Sequence, residues 1–251
     1  MQKQLKRLGL FSLAFTLVCC NDQSPKEATT EQLQKAETTA VAAAEPAPFI
    51  SLFDGKSLSG WHGFNKTGEV KNWMIKDSAL VCLGAAKHDS GGDIVSDKEF
   101  GNFELTWNWK VDKGSNSGMM YHVIEHPKYK APYETGPEYQ IIDDIGFPGK
   151  LEGWQKAGAD YAMTPANDKK KLKPVGEWNS SKIIFNNGHV EHWLNGEKIV
   201  DFEKGTPEWT REKSTGKWKD FPDYAMTNKG RLALQDHGAK AYFKNIMIRE
   251  L

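Results

Sequence analysis

Cysteine is scarce. The 251-residue chain has three, and two of them, Cys19 and Cys20, adjoin near the N-terminus. Cys82 is left without a partner, so neither a disulfide framework nor a paired C-x-x-C site can be built, and its place in the apolar run 79–83 marks it as a small buried hydrophobe. An excess of one charge is also missing: 33 Lys and Arg stand against 33 Asp and Glu, so no general field draws nucleic acid or anionic lipid. The apolar run from Leu8 to Val18 is too short to span a bilayer comfortably. Sustained helical periodicity is absent apart from a turn or two in Thr206 to Lys213, where Thr206 is placed to cap and Pro207 to sit first. There is no Gly-rich phosphate loop, no H-E-x-x-H and no G-x-S-x-G elbow, which removes nucleotide, zincin and α/β-hydrolase chemistry.

At the N-terminus, Lys3, Lys6 and Arg7 precede the Leu8–Val18 run, the pattern of a signal peptide. Leu17-Val18-Cys19-Cys20 resembles a bacterial lipobox, so residues 1–20 are expected to be a lipoprotein signal with a diacylglycerol anchor on Cys20. Residues 21–48, rich in Gln, Glu, Thr, Ala and Pro, have almost nothing to bury and read as a tether. Residues 49–251 are expected to form one domain in the cell envelope, touching the membrane through the anchor alone.

The remaining signals are those of strands. Phe103 to Val111 alternates without a fault, Phe103, Leu105, Trp107, Trp109 and Val111 inward, Glu104, Thr106, Asn108 and Lys110 outward. Lys182–Phe185, His189–Leu194 and Lys198–Phe202 form a meander, because Asn186-Asn187-Gly188 and Asn195-Gly196 supply the positive φ of tight hairpins. Arg231–Gln235 and Tyr242–Arg249 close the chain. The pattern predicts an all-β sandwich of two antiparallel sheets.

Polar groups concentrate between Gly114 and Asp144. In the strand from Glu138 to Ile142, alternation places Glu138 and Gln140 on one face and Tyr139 and Ile141 on the other. In the preceding strand it places Tyr121 and Val123 on one face, Met120, His122 and Ile124 on the other. Gln235-Asp236-His237 follows an apolar strand and aims Gln235 and His237 to one side. His189 and His192 fall on opposite faces and cannot share a metal; His192 reads as core-facing, and His62, His88 and His126 as surface or loop residues. These features fit either a carbohydrate-sized pocket or a sandwich with a solvated polar face.

The motifs N-S-G-M-M-Y (116–121), E-T-G-P-E-Y-Q-I-I-D (134–143), G-E-W-N (176–179), H-W-L-N-G (192–196) and L-Q-D-H-G (234–238), after F-I-S-L-F-D-G-K-S-L-S-G-W (49–61), resemble the 3-keto-disaccharide hydrolase family over Phe49–Leu251. The resemblance implies a concanavalin-like jelly roll acting on mono- or disaccharide glycosides oxidised to a ketone at C3. A C3 ketone acidifies the proton on C2; a base removes it, the enolate expels the group on C1, and water then adds. Glu138 and His237 are the expected acid–base pair, and Asp143 an orienting group. Asn116, Gln140, Asn179 and Gln235 are expected to bind hydroxyls, with Tyr121, Tyr161 and Trp178 as walls and His122 and Asp236 nearby. No cofactor is implied beyond a divalent cation such as Ca²⁺ that Asp143 and Glu138 could hold. Relatives often carry Arg where this chain has His122. Two other readings remain: a non-catalytic carbohydrate-binding module, and a direct glycosidase with two carboxylates about 5 to 9.5 Å apart.

Overall fold

The computed structural model describes residues 47–84 and 92–251. The signal segment, Cys19, Cys20, all but the last two tether residues and His88 lie outside them. Among the described residues, strands β1 (Ile50–Ser51), β2 (Trp61–Gly63), β3 (Trp73–Lys76), β4 (Ala79–Leu83), β5 (Ile94–Phe100), β6 (Phe103–Val111), β7 (Asn116–Val123), β8 (Glu138–Ile142), β9 (Asn179–Asn186), β10 (His189–Leu194), β11 (Glu197–Glu203), β12 (Gly230–Leu234) and β13 (Lys240–Glu250) form two antiparallel sheets, with one α-helix, α1 (Pro207–Thr215). The larger sheet runs β11-β10-β9-β6-β13-β4-β3, with β1 added on β13; the smaller runs β2-β5-β12-β7-β8. None of the described helices is long and apolar enough to cross a membrane.

The elements follow from local chemistry. β6 buries the five residues that alternation assigned to the core, and β9 buries Ser181, Ile183 and Phe185 against it. The β9–β10 and β10–β11 hairpins turn at Asn187-Gly188 (φ 52° and 98°) and Asn195-Gly196 (φ 49° and 88°), the positive pairs that match strand twist. β9 starts at Asn179, three residues earlier than the apolar pattern alone marks. Thr206 caps α1 by accepting from the Trp209 N–H at 3.3 Å.

The underside of β8 is fixed to the larger sheet. The Tyr139 ring meets Trp107 edge-on at 5.0 Å. Its hydroxyl lies 2.8 Å from Ser181 Oγ, which accepts from Trp109 Nε1 at 2.8 Å. His192 is fully buried, its Nδ1 3.0 Å from the Gly158 carbonyl, and burial pushes its pKa down to about 4. With Tyr139 and Ile141 held in the core, the two-residue period of a strand sends Glu138 and Gln140 to the outer face.

One expectation fails at β7. Simple alternation puts Tyr121 and His122 on opposite faces, but Met120 pairs with Ala233 and Val123 with Arg231, so Tyr121 and His122 together oppose Leu232. His122 takes φ 55° in this bulge. Gly230 permits it: a Cβ there would lie 2.5 Å from the His122 backbone. Both side chains enter the core, where His122 contacts Phe185 at 4.3 Å and Tyr121 contacts Phe103 at 6.0 Å.

Trp107 is 1% exposed at the centre of this packing. Trp107→Ala is expected to destabilise the sandwich by ~3–5 kcal/mol in denaturant unfolding, the usual cost of deleting a large core aromatic; a loss below ~1 kcal/mol would mean that the two sheets do not depend on it.

Candidate active site

A cleft of about 190 Å³ opens on the outer face of the smaller sheet, lined by Asn116, Tyr133, Glu138, Gln140, Tyr161, Lys217, Gln235 and His237. Its floor comes from adjacent strands. β7 brings Asn116, β8 brings Glu138 and Gln140, and the chain leaving β12 brings Gln235 and His237. Ser117 Oγ donates to the Gln235 carbonyl at 2.7 Å and the Gln235 N–H to the Gly118 carbonyl at 3.1 Å, which fixes the end of β12 to the start of β7. Gly118 clears the space above β7: a Cβ there would lie 2.1 Å from Glu138 Oε1.

The walls come from more distant chain. Tyr133 sits in the single 3₁₀ turn Pro132–Glu134, and Lys217 opens the turn Lys217–Asp220 that follows α1. Residues between β11 and β12 build their own apolar cluster of Trp209, Trp218, Tyr224 and Ala225 with Met163, in which Trp218 stacks on Tyr224 at 3.9 Å. Lys217 Nζ projects from it to lie 4.2 Å from the centre of the Tyr161 ring and 5.6 Å from that of Tyr133, within reach for cation–π attraction.

Glu138 is 4% exposed. Loss of water around its carboxyl is the main reason its pKa is pushed up to about 8, with Lys217 opposing the shift and the negative charge of Asp93 adding to it. A carboxyl with this affinity for protons is a competent base near neutral pH. Asp160 lies buried close by, and its pKa is pushed well above the usual carboxylate range, chiefly by burial and then by the charges of Glu138 and Glu212. Asn116 Oδ1 and Gln235 Oε1 are buried acceptors without a donor. Gln140 Oε1 accepts from the Ile141 N–H at 3.0 Å. The set combines a base, a cation, an imidazole and amides.

Of the residues expected from sequence, the cleft therefore gathers Glu138, His237, Asn116, Gln140, Gln235 and Tyr161. It does not gather Asp143, whose oxygens accept from the Gly114, Ile145 and Gly146 N–H groups at 2.8 to 3.1 Å. Burial would raise its pKa, but these backbone donors hold it below the usual range. Asp143 fastens a turn on a separate groove that also involves Trp109 and Leu172, so it cannot share a cation with Glu138. Tyr121 follows Met119 on the core face, and the bulge withdraws His122 to the same side. Trp178 stands beside Lys244 and Lys110 at 4.1 and 5.1 Å, on the outer face of the larger sheet. Asn179 Oδ1 accepts from the Lys173 N–H and Asn195 Nδ2, fastening a loop. Asp236 lines an adjoining recess and accepts from the Gly238 N–H. Lys217, Tyr133 and Asp160 carry no sequence signal of their own, since a position after a capped helix or in a short turn has no periodicity to read. Elsewhere His189, Glu191 and Asp201 cluster, but the Lys198 ammonium already bridges Glu191 and Asp201.

The Glu138 shift fixes a sign for stability. Its folded pKa lies above the ordinary 4.5, so the folded state holds the proton more tightly. The folded state therefore loses stability as pH rises from about 4.5 through about 8. Thermal melts of Glu138→Gln should match the parent near pH 4.5 and exceed it increasingly toward pH 8.5. A variant less stable than the parent at pH 8.5 would show that the carboxylate is held by partners rather than penalised by burial.

Residues 48–249 match the family model of the 3-keto-alpha-glucoside-1,2-lyase-like domain. A 3-keto-disaccharide hydrolase of Bacteroides thetaiotaomicron is 32% identical over the whole of both chains. A candidate glycosyl hydrolase of Parabacteroides distasonis, solved by crystallography, is 47% identical with a TM-score of 0.76, over 81% of this chain and 94% of its own. A Bacillus subtilis protein with a galectin-like fold superposes with a TM-score of 0.51 at 13% identity, over 82% of this chain and 97% of its own, a likeness of fold alone. The chain belongs to the 3-keto-α-glucoside-1,2-lyase-like family and is a carbohydrate-acting enzyme of hydrolase type built on a jelly roll.

Proposed function

We propose that the chain cleaves 3-keto-glycosides by elimination and hydration at this cleft, with Glu138 as the base. The observation that carries this is a single buried carboxylate, its pKa about 8, sharing a small cleft with Lys217 and His237. Glu138 removes the proton from C2 of the oxidised sugar. The electron pair moves into the C2–C3 bond and places negative charge on the C3 oxygen, which the Lys217 ammonium stabilises. As the carbonyl re-forms, the C1–O bond breaks, and His237 gives a proton to the departing oxygen. Water then adds at C1 and a proton returns to C2, so the sum is glycoside plus water to free 3-keto sugar plus alcohol. Asn116 and Gln235 offer acceptors to the sugar hydroxyls and Gln140 its amide N–H.

Two features favour this route over its rivals. Glu138 is the one carboxylate among the residues lining the cleft, whereas direct glycoside hydrolysis needs a pair across the glycosidic bond. A binding module gains nothing from burying a carboxylate beside a lysine and an imidazole. The proposal also carries the envelope location read from Leu17-Val18-Cys19-Cys20: fatty acid label should enter the protein in a bacterial host and be lost in Cys20→Ala, and label retained there would reject that anchor.

Turnover of a 3-keto-glucoside by Glu138→Gln should fall by at least ~10², with sugar binding kept, as expected for loss of a general base. In the parent, kcat/KM should rise with pH until the base is ionised, near 8. Full activity in folded Glu138→Gln would remove Glu138 from the chemistry.

A further inference from the structure

The cleft is small for the substrates of such a reaction. Its volume of about 190 Å³ is below the ~300–1,000 Å³ of pockets that enclose drug-sized ligands. A cleft of this size does not enclose a whole disaccharide, so on the proposed reaction the group released from C1 extends beyond it. Toward Asp93, Lys130 and Asp236 the cleft ends in a recess of about 20 Å³, too tight for a sugar. Away from this recess the rim is aromatic at Tyr161. Tyr161 lines the cleft, and the half-buried Trp154 meets its ring at 5.6 Å and 67°, forming a corner of two rings. This corner is tied to the base: the Tyr161 N–H donates to the Glu138 carbonyl at 3.0 Å and the Ala162 N–H to the Trp154 carbonyl at 3.4 Å. Gln155 Oε1 accepts from the Glu152 N–H at 3.0 Å and closes the Gly153–Gln155 turn that carries Trp154.

Resting on the function proposed above, we infer that Trp154, set against Tyr161, is the platform on which the leaving group of the glycoside stacks. The chain then encloses only the oxidised ring and selects what it releases by aromatic contact at an open rim. A flat apolar face suits the C–H face of a pyranose or an aryl group, and a methyl group is too small to cover it. Selectivity between leaving groups therefore resides in Trp154, and recognition of the oxidised ring in Asn116, Gln140 and Gln235.

The test compares kcat/KM for a 3-keto-glucosyl disaccharide and for methyl 3-keto-glucoside in the parent, Trp154→Ala and Trp154→Phe. The disaccharide-to-methyl ratio should fall ~5- to 10-fold in Trp154→Ala, the factor an aromatic contact carries, and be largely restored in Trp154→Phe. An unaltered ratio, or an equal fall for both substrates, overturns the platform. A second arm needs no turnover. In a Glu138→Gln background, the affinity for unoxidised disaccharide over methyl glucoside is measured with and without Trp154→Ala; a lost preference supports the platform, and a retained one rejects it. Should the parent release nothing from either 3-keto substrate, the reading of the reaction fails, and this second arm alone decides the platform.

Discussion

The removal of the Glu138 carboxyl from water is the constraint on which the site depends. It follows from what lies beneath the strand: Tyr139 is held by Trp107, Ser181 and Trp193, its hydroxyl 2.8 Å from Ser181 Oγ and 3.2 Å from the Trp193 carbonyl. With that side chain fixed, its neighbours must face outward, and Gly118 on the next strand leaves the space that the Glu138 carboxyl occupies. The cost is borne by the folded state, which would be more stable at alkaline pH with an amide in this position. Such a penalty is characteristic of sites tuned for proton transfer.

The second half of the site is supplied by an accessory cluster rather than by the sheets. Trp209, Trp218 and Tyr224, from the chain between β11 and β12, pack into one apolar cluster, and Lys217 beside it lines the cleft. Its charge lowers the Glu138 pKa while burial raises it. On the proposed route the same cation meets the charge that develops on the C3 oxygen, so one residue sets both the strength of the base and the stability of the enolate. The rings of Tyr161, Trp218 and Tyr133 lie within cation–π reach of the ammonium.

Much of this was legible in the sequence because it rests on periodicity. The strict alternation of 103–111, the Asn-Gly turns, and the placing of Glu138 with Gln140 and of Gln235 with His237 all appear in the structure, since side-chain direction in a regular strand is fixed by position. What failed was non-periodic. Tyr121 lies on the core face with Met119 by ordinary alternation, the bulge turns His122 to the same side, and Asp143, chemically suited to catalysis, is consumed by three backbone N–H groups. Trp178 and Asn179 follow a motif of the family yet stand at the larger sheet, away from the cleft. Lys217 and Asp160 reach Glu138 only through tertiary packing, which no local pattern announces.

The elimination route makes the C2 proton exchange with a side chain, whereas direct displacement at C1 leaves it untouched. A 3-keto-glucoside deuterated at C2 is therefore the most direct probe of the central claim. With the parent enzyme in ordinary water, the route through Glu138 predicts slowed release of the leaving group, or deuterium replaced by hydrogen at C2 of the product. A product that keeps its C2 deuterium and forms at an unchanged rate would contradict it.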